Sequence, residues 1–407
     1  MGKRYEIIDR ILEIEIYVYI VFMFLTKGEG IRNILLFSAF LFWLSTLKHR
    51  ENKWVLKTPV FVLFWIYIGT ITVSAIFSID PGYSFFSLAI EPLKAIIILC
   101  LLSTVLADEN RLKRFVYVLF FILVFTISLG YYSYWAYDLT LMKPVTWIRH
   151  AWHNRFAMDI NTLLPFTLIL LLTAKDLKMK IVVVVVIVAA VTALILSTSK
   201  GGLAAFFSML VIWGIYFSVR HKLNKKLVIS FLIFISLVIG TISYFSLPEE
   251  KLATLKHDIT TLTRRTKIWG PLVHAALQRP ITGWGYGSRI FTLDKPFEST
   301  PFKVAPVQED SDFRNPHNAF LRIFFHQGVV GLIPYIAMIG VSAVSFWRGA
   351  CNSQNLHSFV LAACASILVG IYFVNSIVEN PHLTDVAFTL GIGLAAGYTE
   401  SSKSLTH

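Results

Sequence analysis

A succession of long apolar runs, separated by short basic connectors, most limits what this chain can fold into. The runs cover 11–25, 34–47, 60–79, 85–106, 115–137, 156–173, 181–197, 203–219, 226–245, 319–347, 357–374 and 383–398. Most approach the roughly 20 apolar residues that a helix needs to cross a bilayer. Of the 407 residues, 56% are hydrophobic and 15% are charged, where a soluble domain carries about 25% charge. Lipid can hold so much apolar surface, provided each backbone polar group is satisfied within its own helix. The valines at 182–186 would suit a strand in a soluble protein. The length of their run and the flanking lysines make a lipid-facing helix the better reading. The first run has no small-residue cleavage site after it, so we read it as an anchoring helix. The expected fold class is therefore an all-α polytopic membrane protein of about 12 transmembrane helices.

The connectors alternate in charge. Those at 48–53, 111–114, 175–180 and 220–226 are short and rich in Lys and Arg, whereas those at 78–83, 197–202 and 375–382 are poorer in both. The positive-inside rule then places both termini in the cytoplasm and the connectors after odd-numbered helices outside. Two outer connectors stand apart. One, 138–155, carries Lys143, Trp147, Arg149, His150, Trp152, His153 and Arg155. The other, near 248–318, far exceeds a normal connector and contains two stretches patterned as helices, one near 264–277. The chain thus divides into helices 1–9 (residues 1–246), one large, partly helical outer loop (247–318) and helices 10–12 (319–407). The formal charge of +13 suits a cytoplasmic rim and anionic lipid rather than nucleic acid. Cys100, Cys351 and Cys364 fall in expected helices or beside inner connectors, so neither a disulfide framework nor a metal site is expected.

Several side chains at the outer surface could carry chemistry. His317 sits in Asn-Pro-His-Asn, where the large loop enters the tenth helix. Asn315 precedes a proline and is biased to an extended backbone, and Asn318 suits a helix cap. A capping turn explains this element, and so does an imidazole placed to take a proton from a hydroxyl. Arg265 lies four residues before Trp269, so the two share a helix face. The arginine can serve a site, or it can reach lipid headgroups beside an interfacial tryptophan. With Arg264, Lys267, Arg279 and Arg289 it forms a basic set suited to anions. Lys200 precedes two glycines at a helix start, which fits either an anion held by free N–H groups or a tight hairpin in water. Residues 283–287 alternate glycine with Trp284 and Tyr286 but lack the Lys-Ser/Thr ending of a P-loop, so a turn is expected. Glu91 and Lys94 lie about a turn apart within an expected helix, where charge is costly. They form either a structural ion pair or part of a site, and Asp159 and Asn161 carry similar weight. The residues alone point to an outer site of Arg, Lys and His that binds an anionic, lipid-anchored substrate such as a diphosphate.

The order Ser199-Lys-Gly-Gly, Arg265-Thr-Lys-Ile-Trp269, Pro280 to Ser288, Asn315-Pro-His-Asn-Ala-Phe-Leu321 and His326 to Leu332 resembles the O-antigen ligase and polymerase superfamily of Gram-negative inner membranes. His153 to Asp159, followed by Pro165, is similar too. The resemblance implies a periplasmic site and a glycosyl transfer. The donor would be a polysaccharide on undecaprenyl diphosphate. In the ligases the acceptor is a sugar hydroxyl of lipid A-core. It implies no cofactor, metal or nucleotide, and no partners beyond these substrates and membrane lipids. Arg265 and His317 match two members of the family's essential set. The third is an arginine in a Ser-Arg-Gly turn, and here Lys200 replaces it, keeping charge but losing the bidentate fork. Arg155 and Arg289 are candidates to compensate. Arg264, Asn315, Asn318 and Trp269 complete the expected substrate-binding set. A polymerase, a protein O-oligosaccharyltransferase and, least of all, a transporter or flippase are the other readings. Transporters tend to carry interrupted helices in paired halves, and the halves here look unlike. The length of the loop and the late Pro-His-Asn favour the ligase.

The topology gives a direct expectation. In a variant lacking the native cysteines, a cysteine at Lys143 should react with a membrane-impermeant maleimide in spheroplasts. One at Lys178 should react only after lysis, and the reverse pattern would invert the assignment.

Overall fold

The computed structural model describes residues 2–24, 28–48, 56–146, 148–149, 151–220, 263–301 and 316–404, with the side chains of 2–5, 263–267 and 398–404 left aside. Among these residues the chain is all-α and has no strand. The helices are α1 (Gly2–Met23), α2 (Glu29–Leu47), α3 (Pro59–Ile76), α4 (Pro81–Val105), α5 (Glu109–Ala136) and α6 (His153–Thr173). They continue as α7 (Leu177–Leu196), α8 (Lys200–Arg220), α9 (Thr263–Gln278), α10 (Ala319–Asn352), α11 (Asn355–Val369) and α12 (Leu383–Ser404). Nine of the described helices are long and apolar enough to span a membrane. The expected span 226–245 and the helical stretch that opens the large loop lie outside the described residues. The expected helix near 264–277 is α9. The valine run lies in α7, with Val183 buried and Val184, Val185 and Val188 exposed, the one-sided burial of a helix that faces lipid.

Start signals are local and polar. Thr58, Asp80, Asp108, Asp176 and Asn318 each accept a hydrogen bond from a backbone N–H in the first turn of the helix they cap. Helix α12 packs along α4, and α10 lies against α3 and α11.

The connectors expected on one side meet one another. At one end, Arg111 pairs with Asp9 at 3.1 Å and Arg114 with Glu13 at 2.7 Å. Arg220 donates to the carbonyls of Cys351 and Ser353 there. At the other end, Met142 N–H donates to Leu196 O, Ile79 N–H to Trp284 O, and Leu383 N–H to Glu91. Two-sidedness is thus built into the contacts. We call the second end the outer end, following the charge pattern.

Helix α10 is broken at Gly328, whose φ of 61° and ψ of −160° belong to no helix. The freed backbone groups are met by residues 280–285. Trp284 and Gly285 N–H donate to Phe325 O and His326 O. Val329 and Val330 N–H donate to Pro280 O and Ile281 O. This is the turn expected at 283–287, and it binds protein backbone rather than phosphate. A Cβ on Gly283 would collide with the His326 backbone, and one on Gly328 with Ile281 O. Gly328→Ala should therefore cost about 1–3 kcal/mol in backbone strain alone. That should read as a lower melting temperature of the detergent-solubilised protein, and an unchanged one would refute the account.

Candidate functional site

Four elements converge at the outer end around Glu379. The first is the turn that starts α10. Asn318 Oδ1 accepts from Leu321 N–H at 2.9 Å, so the expected cap forms. His317 takes a left-handed φ of 44°, a conformation that His, Asn and Asp tolerate better than most residues. The imidazole is half-exposed, and its Nδ1 lies 3.8 Å from Glu379 Oε2. The second element is α9, whose Trp269 Nε1 donates to Pro316 O at 2.7 Å. This ties the helix carrying Arg264 and Arg265 to the residue before His317. The side chains of Arg264 and Arg265, and all of Asn315, lie outside the described residues.

The third element is the start of α6, where Asn154 Nδ2 donates to Glu379 Oε1. The fourth is the Lys200 turn. Lys200 is exposed and opens α8. Ser199 Oγ accepts from Gly202 N–H at 3.1 Å, so the turn supplies its own cap. Asn161 Nδ2 donates to Gly202 O at 2.8 Å. A Cβ on Gly201 would strike Asn375 and Val378, just before Glu379. That segment is able to turn here because α11 ends in a π-helical stretch, Gly370–Val374, and a 3-10 turn, Asn375–Ile377, interruptions often found at functional sites.

Arg155 stands one residue from Asn154 and is saturated by carboxylates. It reaches Asp385 with two bonds of 2.6 and 3.1 Å, and Asp159 at 3.1 Å. Asp159 also pairs with Arg149, and Arg149 and Asp159 are each 1% exposed. Burial pushes the Arg149 guanidinium below its ordinary range, and the Asp159 charge opposes that. This group of four charges comes from the 137–152 connector, α6 and α12, and it fixes the first turn of α6. Sequence singled out Arg155 and Asp159 but not Asp385, because pairing across 230 positions leaves no local signal.

Glu91 and Lys94 do not pair with each other. Lys94 lies 3.5 Å from Glu29. Glu91 accepts from Leu383 N–H at 2.9 Å and Tyr286 Oη at 3.1 Å, with His382 Nδ1 at 3.5 Å. Burial first, and then Glu91, push the Tyr286 phenol well above its ordinary range, which keeps it a donor. Arg289 is exposed and lies against the start of α4, 3.9 Å from Asp80 and 5.7 Å from the centre of the Tyr83 ring. It does not join the Glu379 group. Glu379, Asn154 and Asp385 are the residues that sequence reasoning passed over, and Arg149 was named only as one basic residue of the 138–155 connector. The only signal for Glu379 was an acidic residue in an otherwise charge-poor outer connector. Among the described residues no cluster of His, Cys, Asp or Glu is arranged to hold a metal.

A family model described as O-antigen ligase matches residues 184–336. The match supports the resemblance to the O-antigen ligase and polymerase superfamily, and it contains Lys200, α9 and His317. No curated protein matches the chain.

The charge group predicts a strong asymmetry. Asp159→Ala strands the deeply buried Arg149, while Arg155 keeps Asp385, and should cost about 3–5 kcal/mol. Replacing Arg149 and Asp159 together with apolar residues of similar size should recover most of that loss. Equal melting temperatures for the single and double variants would show that the pair is not the source of the effect.

Proposed function

We propose that the protein is an O-antigen ligase. It would move a polysaccharide from undecaprenyl diphosphate to a sugar hydroxyl of lipid A-core, on the periplasmic face of the inner membrane. The observation that carries this reading is the convergence at Glu379. His317, the Lys200 turn and the α9 helix of Arg265 are far apart in sequence, yet contacts through Trp269, Gly201 and Asn154 bring their elements together.

The reaction follows from charge. The acceptor hydroxyl attacks the anomeric carbon, and the bond from that carbon to the diphosphate oxygen breaks. The proton passes to His317, acting as general base, and Glu379 stabilises the imidazolium that forms. The departing diphosphate gains charge, which Arg265 and Lys200 neutralise in the role a metal would otherwise fill. A direct displacement of this kind inverts the anomeric centre.

A strain lacking the gene should show bare lipid A-core on a lipopolysaccharide gel, together with accumulated lipid-linked polysaccharide. Core carrying a single repeat would indicate the polymerase of the same superfamily. His317→Ala should reproduce the bare core at normal protein level, while full ligation by that variant would remove the acid-base role. Lys200→Arg should keep activity if charge is what matters, and complete loss would mean that the turn tolerates only a narrower side chain.

A further inference from the structure

Beside the first turn of α6 lies a cavity of about 460 Å³ bounded by α1, α2, α4, α6 and the start of α12. Its volume falls in the range of ligand sites, about 300–1,000 Å³. One wall is apolar and comes from Tyr19, Met23 and Phe24 at the outer end of α1. The rest is charged, and most of that charge is spent internally. Lys94 is with Glu29, Arg155 is with Asp159 and Asp385, and Glu91 is with His382.

Two donors are left over. Arg149 Nε is buried without a hydrogen-bond partner, although the same guanidinium serves Asp159 and Thr126 through its other nitrogens. Arg32, in the first turn of α2, lines the same cavity near Tyr19, and its guanidinium forms no hydrogen bond or salt bridge among the described residues. The α2 N-cap is Gly28, which supplies no side-chain acceptor to the first-turn N–H groups. A buried donor without an acceptor costs about 1–3 kcal/mol, and an intramembrane arginine normally has a partner. Both side chains line one chamber, and Arg32 is the one whose guanidinium is left without an anionic oxygen.

We propose that this cavity is a second anion subsite, in which Arg32 holds the phosphate of a lipid headgroup, beside the positive charge of Arg149, while the α1 wall takes the start of its hydrocarbon. The identification of that lipid as a substrate rests on the transferase reading above. A reaction between two membrane-anchored, phosphorylated molecules requires two such places. The cavity shares the α6 turn with the Glu379 group, since Arg155 faces the cavity while Asn154 holds Glu379.

Full-length protein in phosphatidylcholine nanodiscs is titrated with core-only lipopolysaccharide, its dephosphorylated form, undecaprenyl diphosphate and phosphatidylglycerol. Arg32→Gln should weaken at least one phosphate-bearing probe about tenfold. Arg32→Lys should weaken it much less. The probe affected names the source of the phosphate: acceptor, donor or bulk phospholipid. Binding is read without turnover, so a failed transferase assay leaves this test intact. The proposal is overturned if Arg32→Gln binds every probe within about twofold of the unaltered protein. If Arg32→Gln melts early, the unaltered protein decides, and equal binding of phosphorylated and dephosphorylated lipopolysaccharide overturns the subsite.

Discussion

The exchange of backbone hydrogen bonds between the break in α10 and residues 280–285 is the contact on which the rest of the outer structure depends. A helix cannot open inside hydrocarbon unless its freed N–H and C=O groups find partners. Here both sides of the break at Gly328 are met by another piece of backbone, two bonds in each direction. The segment that meets them is the continuation of α9, with Trp284 Nε1 donating back to Ala275 O at 2.6 Å. Fixing 280–285 on α10 therefore fixes α9. Trp269 of α9 then holds Pro316, beside the histidine. The packed aromatic rings of Phe291, Phe297 and Phe325 close the same unit. The described part of the large loop, 263–301, is thus anchored to the bundle as a wall.

The charges inside the outer half divide into those that build and those that remain available. Arg149, Asp159, Arg155 and Asp385 satisfy one another almost completely. A buried ionic group of this kind adds little net stability over apolar packing, but removing any one member is costly. What the group supplies is position: α6 is locked to α12, and the turn that presents Asn154 is held toward Glu379. Lys200 and His317, by contrast, are exposed or half-exposed.

The helices were legible in the sequence because lipid imposes a crude, repeated requirement that composition alone can meet. Eleven of the expected runs lie on described helices, and α9 was readable from its pattern. The interruptions were not. The unwinding at Gly328 sits inside one apolar run, and only the complementary 280–285 segment makes it stable. The π-helical end of α11 likewise leaves no trace in hydropathy. For the site, His317 and Lys200 stood out because each lies beside residues that bend the backbone. Glu379 and Asn154 stayed hidden because their significance exists only across 225 positions of chain, and Arg289, chosen for its charge, lies against α4 instead.

Both interruptions, at Gly328 and at 370–377, border the outer end, and this placement has a chemical consequence. A general base must exchange its proton with water once per turnover, so an imidazole sealed among helices would be trapped in one state. His317 stands at a helix start, half-exposed, on a backbone that irregular structure can carry only where water or protein meets its polar groups. A lipid-anchored substrate, for its part, cannot leave the membrane surface. On the proposed transferase reading, the site lies where a bundle can afford non-helical backbone and where the bilayer still delivers substrate. In this chain that is the narrow zone between the start of α10 and the turn before α12.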